Sequence, residues 1–232
     1  MRICAIHQPN FFPWLGYFDK INRADVFVFL DNVDYPKSSK TMCCWSNRVA
    51  VLVQGKSCWI SVPVIREEGR QKICNVLIDD SFPWRNKILK TIQYNYKKSP
   101  HYKDVYPFIE ELINYRTEKI SIYNQYIIMA ICKRLGIGSD FLVQSDVDTE
   151  EVSTRLLIEL VDKSECDTYM CGGGASGYQE DELFEKANIK LIYQNFSHPV
   201  YQQFDQVEMV KGLSILDALF WCGFEGTHKL LK

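Results

Sequence analysis

The stretch HQPNFFPWLGYFDK, residues 7–20, gathers the first groups able to do chemistry: His7, Gln8 and Asn10, then Asp19 beside Lys20. Histidine exchanges protons near neutral pH, Gln8 and Asn10 offer amides, and Pro9 stiffens the backbone between them. The same stretch holds Phe11, Phe12 and Trp14, so it is either a core plug or the wall of a binding site. Read for function, His7 is a general base, with Gln8, Asn10, Trp14 and Asp19 as substrate contacts. Read for structure, His7 bonds a backbone carbonyl while the aromatic rings fill core. A helix starting near Leu15-Gly16 would add free N–H groups, a natural seat for an anion.

A second cluster, DNVDYPKSSKTMCCWSNR at 31–48, follows an apolar run and carries no helix signal. Long polar loops at a strand end are more often functional than not. Asp31 and Asp34 would serve as acid/base groups or sugar-hydroxyl contacts, with Tyr35 beside them and Lys40 and Arg48 as anion contacts. The third, PWRNKILKTIQYNYKKSPHYK at 83–103, interleaves basic and aromatic residues without an acid. It reads as a helix with lysines on its wet face, from which Arg85, Lys87 and Tyr94 could hold a phosphorylated ligand. The fourth, CGGGASGY at 171–178, follows an apolar strand. Gly172, Gly173, Gly174, Ser176 and Tyr178 would let backbone N–H groups approach a ligand closely, or would form a bare tight turn. The turn has neither the Walker lysine nor the GxGxxG spacing. Cys171 has no histidine near it in sequence, which counts against a nucleophile.

The elements that must position these residues follow from periodicity. RICAIH (2–7) reads as a buried strand, residues 15–24 as a helix, and VFVFLD (26–31) as a strand buried on both faces. Strand, helix and strand make a parallel crossover unit, and ligands of such sheets bind beyond the carboxyl ends of the strands. His7 and Asp31 fall at those ends, and the glycine turn is expected to join them in one cleft. RVAVLV (48–53) and CWISVPVI (58–65) read as a hairpin and KICNVLI (72–78) as a strand. Residues 82–137 read as a helical section. Beyond it come a strand (141–145), a helix (151–164), a strand (167–174), a polar helix (179–188), a strand (189–196) and an apolar helix (213–223) ending in glycine. The expectation is one α/β domain over 1–232, a mainly parallel Rossmann-like sheet with a helical section in the middle of the chain.

Composition bounds the classes. At 47% apolar and 24% charged, with a net charge of −2, the 232-residue chain reads as globular and does not suit broad nucleic-acid binding. No apolar run approaches the roughly 18 residues of a membrane span, so no membrane insertion is expected. The nine cysteines show no CxxC pairing and several lie in apolar runs, which reads as reduced thiols in a cytoplasmic protein. The four histidines have no metal-ligand spacing, and no metal or cofactor is read from the sequence. If the chain self-associates, a homodimer through the aromatic helical section is expected.

The first crossover unit is similar in architecture to the adenylyl-transferring α/β enzymes. Their H-x-G-H pattern is absent, because Leu15-Gly16-Tyr17 stands where a GH pair would be. The chain as a whole resembles the WbqC-like family of bacterial proteins. The resemblance runs through HQPNFFPWLGYFDKINRADVFVFLDNVDY, WISVPV, PWRNKILKTIQYNY, SPHY, YMCGGGASGY and LSILDALFWCG, in order over almost the whole length. Members tend to be encoded among enzymes that build surface polysaccharides such as O-antigen. The resemblance implies a cytoplasmic role in making or modifying an activated sugar, and the function expected here is a transferase that attaches an acyl or aminoacyl group to a nucleotide-linked amino sugar. Nucleotidyl or adenylyl transfer, and a non-catalytic binding role in the pathway, stand as alternatives.

Overall fold

A computed structural model of the chain describes residues 1–36, 45–172, 180–204 and 208–231. In chain order its elements begin with β1 (Ile3–His7), α1 (Leu15–Asn22) and β2 (Val26–Phe29). Two hairpin-like pairs follow, β3 (Arg48–Val53) with β4 (Lys56–Ser61) and β5 (Val64–Ile65) with β6 (Leu77–Ile78). Three helices come next, α2 (Trp84–Tyr96), α3 (Tyr102–Asn114) and α4 (Ile120–Leu135). The rest alternates: β7 (Asp140–Val143), α5 (Ser153–Lys163), β8 (Thr168–Cys171), α6 (Asp181–Lys186), β9 (Lys190–Tyr193) and α7 (Ile215–Lys229).

Five of the strands form one sheet in the order β7-β2-β1-β8-β9, and every neighbouring pair is parallel. This is a Rossmann-like α/β fold with helices on both faces. The alternation within β1 shows why. Ala5 joins the cluster of Phe27, Phe29 and Met170 under α1, where Leu15, Phe18 and Ile21 recur at helical spacing. Cys4 and Ile6 point to the other face and meet Leu156, Leu160 and Val161 of α5 with Phe184 of α6. Burying a Phe or Leu side chain contributes about 2 kcal/mol, so a strand covered on both faces reads as the continuous apolar run seen in VFVF.

The helical section packs onto the α1 side, and α7 returns across α3, α4 and β3. Gly136 ends α4 in a left-handed conformation with φ 74°, sending its N–H back to Cys132 and Lys133 carbonyls. One sequence expectation is corrected here. Residues 72–78 do not form a strand: Ile73–Asn75 is a 3-10 turn, and only Leu77–Ile78 pairs. Ile73 and Val76 are both buried, a spacing of three rather than two, and Ile73 and Cys74 N–H groups bond Val33 and Asp31 carbonyls. The apolar helix that opens α7 breaks at Gly223, as its sequence predicts. The glycine breaks it with φ 70° and ψ −179°, and the chain then resumes helical turns to Lys229.

Candidate functional site

The chain order explains where a site should open. From β1 the chain moves to β2 and then β7 on one side; β8 starts the other side and leads to β9. The reversal of direction lies between β1 and β8, the crevice where open parallel sheets bind ligands. The pairings show these two strands parting. The β1–β8 ladder ends at Ala5 and Met170, whereas β1 stays paired to β2 through His7 and β8 to β9 through Cys171.

A cavity of about 490 Å³ occupies this crevice, lined by His7, Trp14, Gly16, Tyr17, Lys20 and Gly172, with Gln194, Asn195 and Phe196 closing the β9 side. That volume suits a ligand of nucleotide size. His7 Nδ1 lies 3.1 Å from the Gln8 carbonyl oxygen, which also accepts from the Tyr17 hydroxyl at 3.0 Å. A carbonyl can only accept, so Nδ1 carries the proton and Nε2 the lone pair. The Tyr17 ring meets the imidazole edge-on at 4.9 Å and fixes its plane. Burial, and then the Lys20 charge, push His7 down to about 4, so the ring is neutral at physiological pH.

Lys20 reaches the mouth because side chains on a helix lean toward its N-terminus, and α1 starts at the carboxyl end of the sheet. Its Nζ donates to the Ile6 carbonyl at 2.9 Å, where the β1–β8 ladder has stopped. The ammonium is buried, 3% exposed, and burial lowers it to about 8; the thiols of Cys171 and Cys4 act weakly in the other direction. The adjacent Asp19 does not neutralise it. That carboxylate turns to Gln194 Nε2 at 2.8 Å and Arg23 at 3.4 Å. Gln194 also donates to the Gly16 carbonyl at 2.6 Å, which ties the end of β9 to α1.

The far wall is aromatic. Trp14 meets Phe196 at 5.2 Å and His198 at 5.1 Å. A methyl group on Gly16 would stand 2.4 Å from Trp14 Cη2 and 2.9 Å from Phe196 Cδ1, so glycine here is what lets the indole lie on the helix. The structure divides the opening loop accordingly. Phe11 and Phe12 are wholly buried in core and Trp14 lines the cavity. Phe12 is held at φ 39°, a left-handed backbone that is costly for a bulky residue. Its carbonyl accepts from Ser214 Oγ at 2.8 Å, and the next carbonyl, of Pro13, accepts from Ile215 N–H, so α7 holds the strained corner.

Of the residues singled out from sequence, the cavity thus gathers His7, Trp14 and Gly172, with the backbone of Gln8 behind the imidazole. Asn10 is buried beside Pro9, outside the lining, and Asp19 lies behind Lys20. Asp31 sits at the same end of the sheet but is not brought to the cavity. Its carboxylate accepts from Ser145 N–H and Oγ, Ser121 Oγ and Gln125 Nε2, binding β2 to α4 and the turn after β7. Asp34 is half exposed and pairs with Arg70 and Lys72. Tyr35 is buried under the Arg66 guanidinium, and Arg48 stacks on Trp59. Arg85 is buried in a bond to Asp80 and the Ile113 carbonyl, where it anchors α2 to α3. Lys40, Gly173, Gly174, Ser176 and Tyr178 lie outside the described residues. Lys20, Gln194 and Phe196 carry the site without having been selected. Lys20 stood in the quoted stretch, and its place four residues after Gly16 was the available signal.

A family model described as the WbqC-like protein family matches residues 8–229. The chain is 28% identical to an uncharacterized protein of Mycobacterium tuberculosis, Rv1507c, over 234 residues, covering 99% of this chain and 98% of that one. No solved structure matches.

Proposed function

The chain belongs to the WbqC-like protein family, and from that premise and the geometry of the cavity we propose that it is a group-transfer enzyme acting on a nucleotide-linked amino sugar. The reaction is acyl or aminoacyl transfer, its place is the cytoplasm, and its product serves surface-polysaccharide synthesis. The observation that carries this reading is the His7 tautomer: an unprotonated Nε2 within a nucleotide-sized cavity, with an aromatic wall opposite. Flat rings such as Trp14 and Phe196 suit a sugar face or a nucleobase.

In this reading the sugar amine attacks the acyl carbonyl carbon, forming the C–N bond while the bond to the donor's leaving group breaks. Nε2 accepts the amine proton as the bond forms and returns it to the leaving group. Because burial and Lys20 hold the imidazole far below its ordinary value, the protonated ring is a strong acid and gives the proton up readily. Asp31 and Asp34 do not line the cavity; their carboxylates bond to Ser145 and to Arg70 and Lys72.

The test is to supply the purified chain with UDP- and dTDP-linked amino sugars and acyl-CoA donors, following product mass. A mass shift that falls at least 100-fold in His7→Gln supports the reading. No shift with any pair, and no binding of a nucleotide sugar, overturns it. A second reading, nucleotidyl transfer, is favoured by one observation, the position of Lys20 at the sheet's switch point. Pyrophosphate release from a nucleoside triphosphate would select it.

A further inference from the structure

We propose that Lys20 is the seat of a phosphate-type anion, the diphosphate of a nucleotide-linked ligand, which supplies the counter-charge that the fold leaves out. This rests on the cavity being a ligand site, and it stands apart from the identity of the transferred group. A buried charge is costly unless it is paired, and chains normally pair it internally. Here the ammonium is 3% exposed, lines a cavity of about 490 Å³, and has the Ile6 carbonyl as its bonded partner. No ion pair joins it among the described residues, because the neighbouring carboxylate of Asp19 is taken by Gln194 and Arg23. A short apolar residue at position 20 would pack with less cost, so the lysine is explained by what enters the cavity.

The surroundings fit a phosphate. The N-terminal turn of α1 reaches the lining through Gly16, and the positive end of a helix favours an anion. Across the crevice, none of the described residues stands within 4 Å of where a Cβ on Gly172 would be, so among them no side chain blocks the end of β8. The aromatic wall of Trp14 and Phe196 leaves room for a flat group beyond the anion. Lys20 and His7 line the same cavity, so an anion held at Nζ shares that cavity with the imidazole.

Binding should be linked to protonation. The groups facing Lys20 are His7 and Cys4 on β1, Cys171 on β8, and Tyr17 on its own helix; Gln194 and Asn195 on the β9 side do not titrate. Since burial lowers the free ammonium to about 8, the empty site loses its charge as pH rises above that, and the anion must bring a proton with it. Affinity for the anion therefore falls as pH goes from 7 to 9.

The experiment is isothermal titration calorimetry of the full chain with inorganic diphosphate, UDP and uridine, in wild type, Lys20→Met and His7→Gln. The expected result is that diphosphate and UDP bind wild type, and that Lys20→Met weakens both roughly 10- to 100-fold. Uridine should bind the two alike, and the pH dependence between 7 and 9 should vanish with the lysine. Lys20→Met should melt at the same or a higher temperature, as it removes a buried charge that has no ion pair among the described residues. Equal diphosphate affinity in wild type and Lys20→Met overturns the proposal, as does a failure of wild type to bind either phosphate probe at millimolar concentration. A marked fall in melting temperature would make Lys20 a structural group and overturn it too. If acyl transfer proceeds while diphosphate ignores Lys20, the anion seat falls and the transferase reading stands. If diphosphate depends on Lys20, and His7→Gln still binds it, while no nucleotide sugar is processed, the seat stands and the transferase reading falls.

Discussion

Replacing Asp31 with alanine is expected to unfold this protein more than to disarm it. The carboxylate is 2% exposed and accepts four hydrogen bonds, from Ser145 N–H at 3.0 Å, Ser145 Oγ at 3.1 Å, Ser121 Oγ at 2.9 Å and Gln125 Nε2 at 3.3 Å. Two of those donors can adapt, because a serine hydroxyl rotates to another acceptor. The Ser145 N–H cannot, and Gln125 loses one partner while keeping Ser121 Oγ at 2.8 Å. One buried donor left alone costs about 1–3 kcal/mol, and the weakened amide adds to it, so Asp31→Ala should cost about 3 kcal/mol. For a chain of this length that is a fall of roughly 6–12 °C in Tm. Asp31→Asn keeps an oxygen for Ser145 but turns an NH2 toward the Gln125 NH2, and about 1–2 kcal/mol is expected. Thermal unfolding measures both variants, and hydrogen exchange should show the loss at β7, whose following turn Asp31 holds. Ligand binding at 25 °C should persist in the folded fraction. An Asp31→Asn protein that melts within 1 °C of wild type, yet no longer binds or turns over ligand, would refute this reasoning and put the carboxylate in the site.

Two further outcomes follow from the same geometry. His7 falls to about 4 when folded against about 6.5 unfolded, so unfolding takes up a proton between those values. Its contribution is fully present above pH 6.5 and is lost as pH falls toward 4, by up to about 3 kcal/mol. In urea unfolding, His7→Gln should lose less stability than wild type across that window; parallel pH curves would contradict the lowered value. Gly16→Ala must drive the new methyl against Trp14 and Phe196, at 2.4 and 2.9 Å, and the overpacking of about 1–3 kcal/mol should outweigh the gain of roughly 1 kcal/mol from alanine in a helix. A lower Tm with altered tryptophan fluorescence is expected, and an unchanged spectrum would mean that the wall yields freely.

The parallel sheet was legible in the residues of its strands. Alternation in RICAIH and the unbroken apolar run of VFVF reflect burial on two faces, a local requirement that each strand carries in its own residues. The short β1–α1–β2 crossover puts His7 and Asp31 at one end, and the parallel pairing of β8 with β1, which the sequence left open, adds Gly172 there. What the residues around 72–78 would do was not local. Their apolar spacing suits a strand, but the loop after β2 offers Val33 and Asp31 carbonyls, and the backbone turns to meet them. The site was decided in the same way. In the sequence Asp31 reads as a catalytic acid at the cleft and Lys20 as an unremarked polar neighbour, and each became what its distant neighbours allowed. Ser121, Gln125 and Ser145 surround the acid and hold it in the frame. Gln194, brought from the far end of the chain by β9, occupies Asp19, and among the described residues Lys20 has no ion-pair partner in the cavity. A residue's type sets which bonds it can make, but its partners are chosen by packing between segments distant in the chain, which no local pattern encodes.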